Sequence, residues 1–396
     1  MKQRFLLIGL NDASEPHFSP EITAAIAAAK VFSGGRRHRE LVAALLPADA
    51  VWIEISVPLD AVFARYEPYD EVVVFASGDP LFFGFGATIR RRLPDAELRI
   101  FPAMNSLQML AHRAMMPYDD LTPVSLTGRP WQGLDAALIE GRAKIGVLTD
   151  REHTPAAIAE RLLTYGYTGY RMTVGEHLGS RERERVAEYS LEEAAQTDFA
   201  MPNCVILHGT PRRTPLGIPD EAFDHLDGRA NMMTKMPVRL LTLSALQLHT
   251  AHCFWDIGSC TGSVSVEARL QFPQVEVHAF ERRPEGERLL EKNARRFGAA
   301  GIRFHGGDFL EADTARLPQP DAVFIGGYGG RLHDVVARVA PLLPAGGRLV
   351  FNSVSPESAQ AFCEAVAQHG CTVARETRLA VDAHNPITVI QAIKQA

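Results

Sequence analysis

No Cys-x-x-Cys pair occurs in this 396-residue sequence, and its five cysteines, at 204, 253, 260, 363 and 371, are an odd number. That pattern excludes a disulfide framework and the usual zinc sites, so reduced core thiols and no metal centre are expected. An uninterrupted apolar run of about 18 residues is also missing, which excludes a membrane-spanning helix. The apolar stretch near the N-terminus, Phe5 to Leu10, is too short for a signal peptide, and a cytoplasmic protein with no membrane partner is expected. Nor is there an excess of positive charge. Lys and Arg number 41 against 47 Asp and Glu, a net charge of -6, so no global field draws in nucleic acid and a small-molecule partner is expected. Low-complexity tracts and residue-level repeats are absent. With 46% hydrophobic and 22% charged residues the chain has ample material for large cores, and its length predicts two or three domains.

What is present centres on Phe254 to Glu267, FWDIGSCTGSVSVE. An apolar run ends in an acid, turns through small residues and opens a helical pattern, so it reads as strand, ligand-cradling turn and helix. Gly258 permits the sharp turn and Gly262 a close helix approach. Downstream, Val275 to Glu281 reads as a second strand whose terminal Glu281 can accept hydrogen bonds from both hydroxyls of a ribose. A nicotinamide dinucleotide and S-adenosylmethionine both fit that plan. The dinucleotide fingerprint G-x-G-x-x-G is missing, and the spacing Gly258 to Gly262 favours the methyl donor.

Taken in order, the chain alternates strand and helix throughout, which predicts an α/β protein. Arg4 to Leu10 reads as a strand running into the polar turn NDASEP, and a helix over 20–29 follows with Ser19 as its cap. The run Arg36, Arg37, His38, Arg39 reads either as an anion contact or as a solvated helix face. At Glu71 to Leu93 a buried strand breaks at SGDP into a loop before a helix, the kind of strand end where ligands bind in open α/β sheets. A similar plan recurs at 98–115. Further strands are expected at 121–126, 143–148, 171–176 and 204–208, with a helix at 155–163 capped by Thr154. The proline-rich stretch from Thr210 to Arg229 carries no apolar period and predicts a linker, placed at 213–228 between domains of 1–212 and 229–396. Beyond it an amphipathic helix precedes the central strand, and two final strands, RETRLAV and PITVIQAIK, are expected to pair as an antiparallel hairpin at the sheet edge.

Several segments carry a family resemblance. GGRRH at 34–38, ASGDPLFFG at 76–84, LTGRP at 126–130 and VLTDREHTPAAIAERL at 147–162 resemble the tetrapyrrole methylase family, particularly members that methylate C5 of corrin precursors. MTKMPVRLLTLSAL at 233–246, WDIGSCTGSVSVE at 255–267, PDAVFIGG at 320–327 and NSVSPES at 352–358 resemble the class I methyltransferase domain that methylates C15 and decarboxylates an acetate side chain. The whole chain is covered, in the domain order of the fused enzymes of cobalamin synthesis. The resemblance implies a two-subdomain tetrapyrrole methylase fold followed by a Rossmann-like class I domain with an antiparallel edge strand. It further implies S-adenosylmethionine as methyl donor, precorrin-6B as substrate, precorrin-8 as product and a homo-oligomer. The same reactions on cobalt-precorrins are the alternative; an RNA methyltransferase with an accessory domain ranks below it.

The resemblance also assigns residues. In the first domain the methyl donor is expected at Gly78, Asp79, Pro80, Asn105 and Ser106. In the second it is expected at Thr234, Asp256, the turn Gly258, Ser259, Cys260, Thr261 and Gly262, then Glu281, Gly307, Asp308 and Phe309, with Asp308 taking an exocyclic amine. Lys235, Arg239 and Arg331 are candidates to anchor substrate carboxylates, and Tyr328, set among four glycines, to stack on the macrocycle. No catalytic nucleophile is assigned. Departures from the family pattern stand at Asn11 and Asp12, where only Gly9 of G-x-G-P-G remains, at Met104, at Pro237, and at Cys260 in place of the middle glycine. Cys260 is expected to fit if its backbone angles are ordinary.

Overall fold

The computed structural model describes residues 2–11, 16–229, 232–381 and 386–395. Most of the turn expected at NDASEP falls at 12–15, outside the described residues, as does Asn231. The chain divides into two compact units, Met1–Arg129 with Ala143–Glu160 and Tyr170–Thr210, and Pro130–Arg142 with Arg161–Gly169 and Pro211–Ala396.

The first unit holds two five-stranded sheets. One is built from β1 (Arg4–Leu10), β2 (Val31–Gly34), β3 (Val51–Glu54), β4 (Glu71–Ser77) and β5 (Glu97–Phe101), all parallel in the order β3-β2-β4-β1-β5. Its central strands read as unbroken apolar runs because both faces are covered. Phe5, Leu7, Val72 and Val74 pack on one face, and Leu6, Ile8, Val73 and Phe75 on the other. The other sheet comprises β6 (Thr122–Ser125), β7 (Lys144–Leu148), β8 (Tyr170–Glu176), β9 (Arg185–Tyr189) and β10 (Asn203–Gly209), in the order β6-β7-β10-β8-β9 and mostly antiparallel. Strands β2, β3 and β9 escaped the sequence reading. They have only four or five residues, and β2 ends in Ser33 and Gly34 with the Ser33 hydroxyl buried against the Ile53 carbonyl at 2.7 Å.

The second unit is a seven-stranded sheet of β11 (Cys253–Ile257), β12 (Glu276–Glu281), β13 (Arg303–Gly306), β14 (Ala322–Ile325), β15 (Arg348–Ser353), β16 (Cys371–Leu379) and β17 (Ile387–Lys394). The order is β13-β12-β11-β14-β15-β17-β16, with β17 antiparallel to both neighbours, so the expected edge hairpin is present. Trp255, Ile257, Val323 and Ile325 face one core, Phe254, Val277 and Phe324 the other.

The stretch expected to be a linker carries packed side chains. Ile218 and Phe223 are buried against Val266, Leu290 and Phe297, and the wholly buried Glu267 accepts the Ile218 N–H at 3.2 Å. Glu267 also takes the Arg239 Nε at 2.5 Å, and the same guanidinium reaches Asp220 at 3.2 Å and the Thr234 carbonyl at 2.8 Å.

Candidate active sites

In the first unit the carboxyl ends of β1, β4 and β5 are hooked together by backbone alone. The Gly78 N–H donates to the Leu10 carbonyl at 2.6 Å, and the Gly78 carbonyl accepts from Ala103 N–H at 3.2 Å. Gly78 makes this turn at φ +58°, a region open to glycine. Beneath the crossing lies Gly9, where a Cβ would stand 2.0 Å from the Gly78 carbonyl oxygen and 2.5 Å from the Ala103 nitrogen. A side chain at position 9 therefore has no room.

These ends border a cavity of about 460 Å³ whose walls include Asn11, Arg37, His38, Ser77, Gly78, Met104, Asn105, Ser106 and Thr149. The volume falls in the ~300–1,000 Å³ range usual for small-molecule sites. Of the residues expected at the methyl donor, Gly78, Asn105 and Ser106 lie on this wall. Asp79 and Pro80 do not line the wall: the Asp79 carboxylate accepts the Leu81 N–H at 2.8 Å and the Pro80 carbonyl the Gly86 N–H at 3.0 Å, so both shape the loop. Asn105 caps the helix Ser106–Arg113, accepting from Gln108 N–H at 2.9 Å. Of the basic run, Arg36 pairs with Glu40 at 3.3 Å and Arg39 lies over the Trp52 ring, while Arg37 and His38 reach the cavity. Ser77, also on the wall, was missed because a lone serine before a glycine carries no sequence signal.

In the second unit the turn after β11 is wound more tightly than its sequence suggested. Gly258, Cys260 and Gly262 adopt φ of +75°, +53° and +72°. A Cβ on Gly258 would meet Gly327 backbone at 2.4 Å, and one on Gly262 the Leu290 side chain at 2.1 Å. The condition set for Cys260, ordinary backbone angles, is therefore not met: the cysteine sits in the left-handed region, at a cost of order 1–2 kcal/mol. Its N–H donates to Glu281 Oε2 at 2.9 Å and its thiol to the Met232 carbonyl at 2.9 Å. Burial, reinforced by the Glu281 charge, pushes the thiol up to about 11, which makes it inert at neutral pH. Cys260→Gly is expected to leave stability within about 1 kcal/mol of the parent, while the β-branched Cys260→Val costs roughly 2 kcal/mol; urea denaturation of both variants checks this.

Glu281, a residue 3% exposed, ends β12 with its carboxylate accepting the Cys260 N–H, the Arg283 N–H at 2.9 Å and Arg283 Nη1 at 3.2 Å. With Gly258, Gly307, Asp308, Phe309 and Tyr328 it lines a cavity of about 80 Å³. Gly307 has nothing within 4 Å on its Cβ side, so backbone is presented openly there. Asp308 accepts Leu310 N–H at 2.9 Å and pairs with Arg331 at 2.5 Å, which joins two residues the sequence assigned to different ligands. The hydroxyls of Ser259 and Thr261 are buried and without a hydrogen-bond partner among the described residues.

Four assignments change. Arg239 is wholly buried with its guanidinium spent on Glu267, Asp220 and two carbonyls, so it braces the fold and is not available to a substrate carboxylate. Lys235, 4.0 Å from Asp220, stands beside that cluster rather than on the cavity wall, and Thr234 contributes its carbonyl to it. Asp256 is 1% exposed and fastens strand to helix by accepting the Ser265 hydroxyl at 2.5 Å, off the cavity wall. Burial raises its pKa from 3.8 to about 7. Because the folded value lies above the unfolded one, the stabilising contribution is full below about pH 4 and is lost as pH rises through 7. Relative to the parent, Asp256→Asn is expected to gain roughly 1 kcal/mol per pH unit across that window, read as the difference in urea midpoints.

Comparison with known proteins bears on both units. Residues 4–195 match the family model described as tetrapyrrole (corrin/porphyrin) methylases, and residues 221–396 that described as a precorrin methyltransferase domain. A Sinorhizobium protein named precorrin-6Y C(5,15)-methyltransferase [decarboxylating] is 36% identical over 360 residues, 89% of this chain and 84% of that protein. A Salmonella typhimurium protein named cobalt-precorrin-6B C(15)-methyltransferase (decarboxylating) is 44% identical over 139 residues, 35% of this chain and 70% of its own length. A Geobacter metallireducens crystal structure titled precorrin-6y C5,15-methyltransferase aligns at 32% identity and a TM-score of 0.42, covering 46% of this chain and 98% of that one. The chain is a methyltransferase and belongs to the precorrin-6Y C(5,15)-methyltransferase (decarboxylating) family.

Proposed function

We propose that the chain moves two methyl groups from S-adenosylmethionine to precorrin-6B, residues 1–212 serving C5 and residues 229–396 serving C15, with loss of the ring C acetate carboxyl to give precorrin-8. The observation that carries this is the pair of glycine-built cavities at strand ends, one per unit. The donor supplies an electrophilic methyl on sulfur, so the protein needs no nucleophile of its own and contributes orientation and exclusion of water. In the second unit Glu281 suits a ribose. Three of about four acceptor positions on its carboxylate are taken, and the 3.2 Å bond from Arg283 Nη1 is the one a second hydroxyl displaces. The open backbone at Gly307 and the unpartnered Ser259 hydroxyl fit a nucleoside approaching the turn. At about 80 Å³ the cavity is below the usual ligand range, so the glycine-flanked Tyr328 and the Asp308–Arg331 pair must yield on binding. Arg331, once released, is placed to meet a substrate carboxylate, and Tyr328 to stack. Electrons left by the departing carbon dioxide pass into the conjugated macrocycle, which serves as their sink. Calorimetric titration with S-adenosylhomocysteine tests the two-site reading: about two equivalents per chain support it, and one equivalent contradicts it.

A further inference from the structure

We infer that Ser77, held by His38, is a hydrogen-bond donor that anchors a carboxylate in the cavity of the first unit. The argument starts from the histidine. Its Nδ1 accepts the Gly35 N–H at 3.2 Å, so Nδ1 bears the lone pair and Nε2 the proton. That proton points at Ser77 Oγ, 2.9 Å away, and Arg37 Nη2 donates to the same oxygen at 3.2 Å. A hydroxyl oxygen has two lone pairs, and both are occupied. The Ser77 proton must therefore be donated elsewhere, and the residue is exposed on the cavity wall beside the Gly78 turn. Two incoming donors polarise the O–H and strengthen what it gives away. Burial, with Arg37 adjacent, holds His38 down at about 4, so the ring stays neutral and its tautomer fixed at working pH. A nucleophilic role for Ser77 is disfavoured, because the histidine offers it a proton and not a lone pair.

A hydroxyl donor polarised by two incoming hydrogen bonds suits an anionic acceptor such as a carboxylate oxygen. This step rests on the function proposed above: the tetrapyrrole carries several carboxylates and the methyl donor carries one. His38 acts through Ser77 and is a positioning residue. The test is initial-rate kinetics of C5 methylation by the full chain with S-adenosylmethionine and reduced precorrin-6, alongside S-adenosylhomocysteine titration. Ser77→Ala is expected to raise one KM about tenfold or more with a smaller change in kcat, as befits a lost hydrogen bond to a charged group. Ser77→Thr, which keeps the hydroxyl, should stay within a few-fold of the parent. His38→Gln, with an amide N–H near the Nε2 position, should recover most of what His38→Ala loses. A rise confined to the tetrapyrrole KM assigns the carboxylate to the substrate; a matching loss of homocysteine-analogue affinity assigns it to the donor. Unchanged constants in Ser77→Ala, or Ser77→Thr as damaging as Ser77→Ala, overturn the inference. A parent enzyme that binds the analogue at this site yet never methylates C5 would instead overturn the proposed function, and the Ser77→Ala titration would still read the donor arm.

Discussion

Glu281→Ala is expected to remove C15 methylation and decarboxylation together while C5 methylation by the same molecule continues. The side chain does two things at once. Its oxygens hold the Cys260 N–H and the Arg283 N–H, both at 2.9 Å, and so keep the left-handed turn closed. Its remaining acceptor capacity is, in the function proposed above, what the second site offers a ribose. Truncation leaves two half-buried donors unpaired and takes away the proposed ligand contact, and each hydrogen bond to a charged group is worth about 1.5–3 kcal/mol. The affinity of the second site for the donor should therefore fall on the order of 100-fold or more. Glu281→Gln, which can still accept but lacks the charge, should lie between. The check is single-turnover product analysis by mass, with C5 methylation as the internal control. Full-rate C15 methylation in Glu281→Ala would remove Glu281 from the site.

The mirror experiment is Gly9→Ala. No side chain can retreat to accommodate it, since both nearest atoms, the Gly78 oxygen at 2.0 Å and the Ala103 nitrogen at 2.5 Å, are backbone. The three strand ends must part, breaking the Gly78 bonds to Leu10 and Ala103 that border the cavity. Overpacking of this kind costs about 1–3 kcal/mol, occasionally more. A displacement near 1 Å at a reacting centre costs on the order of 100-fold in rate. C5 methylation should drop by that factor while C15 methylation is retained, reversing the pattern of Glu281→Ala. Undiminished C5 methylation would show that the crossing does not define the site.

How much of this was legible in the sequence depended on whether a residue's role was local. Strands β1 and β4 were readable because burial on both faces gives continuous apolar runs, β11 because its apolar run ends in an acid before a glycine turn, and Gly258 and Gly262 because spacing within one turn suffices. Glu281 was readable from its place at a strand end. Arg239 was not: a cation near a binding motif looks like an anchor until Glu267, 28 residues on, is seen to bury it. The angles of Cys260 were out of reach for a different reason. The turn is fixed by Gly258 against Gly327 and by Cys260 N–H on Glu281, contacts from other strands that hold the cysteine at φ +53°. Ser77 and His38 depend on an encounter across 39 residues, and Gly9 on two loops that cross above it. Asp79 was correctly placed in its loop, but its carboxylate closes an Asx turn instead of facing the cavity.

The central claim is that one chain carries two methyl-transfer sites and one decarboxylation. Its most direct test is the mass of the product formed from S-adenosylmethionine and reduced precorrin-6 by the full chain. Two added methyl groups with one carbon dioxide lost is the predicted result; a product with a single methyl group, or with its carboxyl retained, would contradict it.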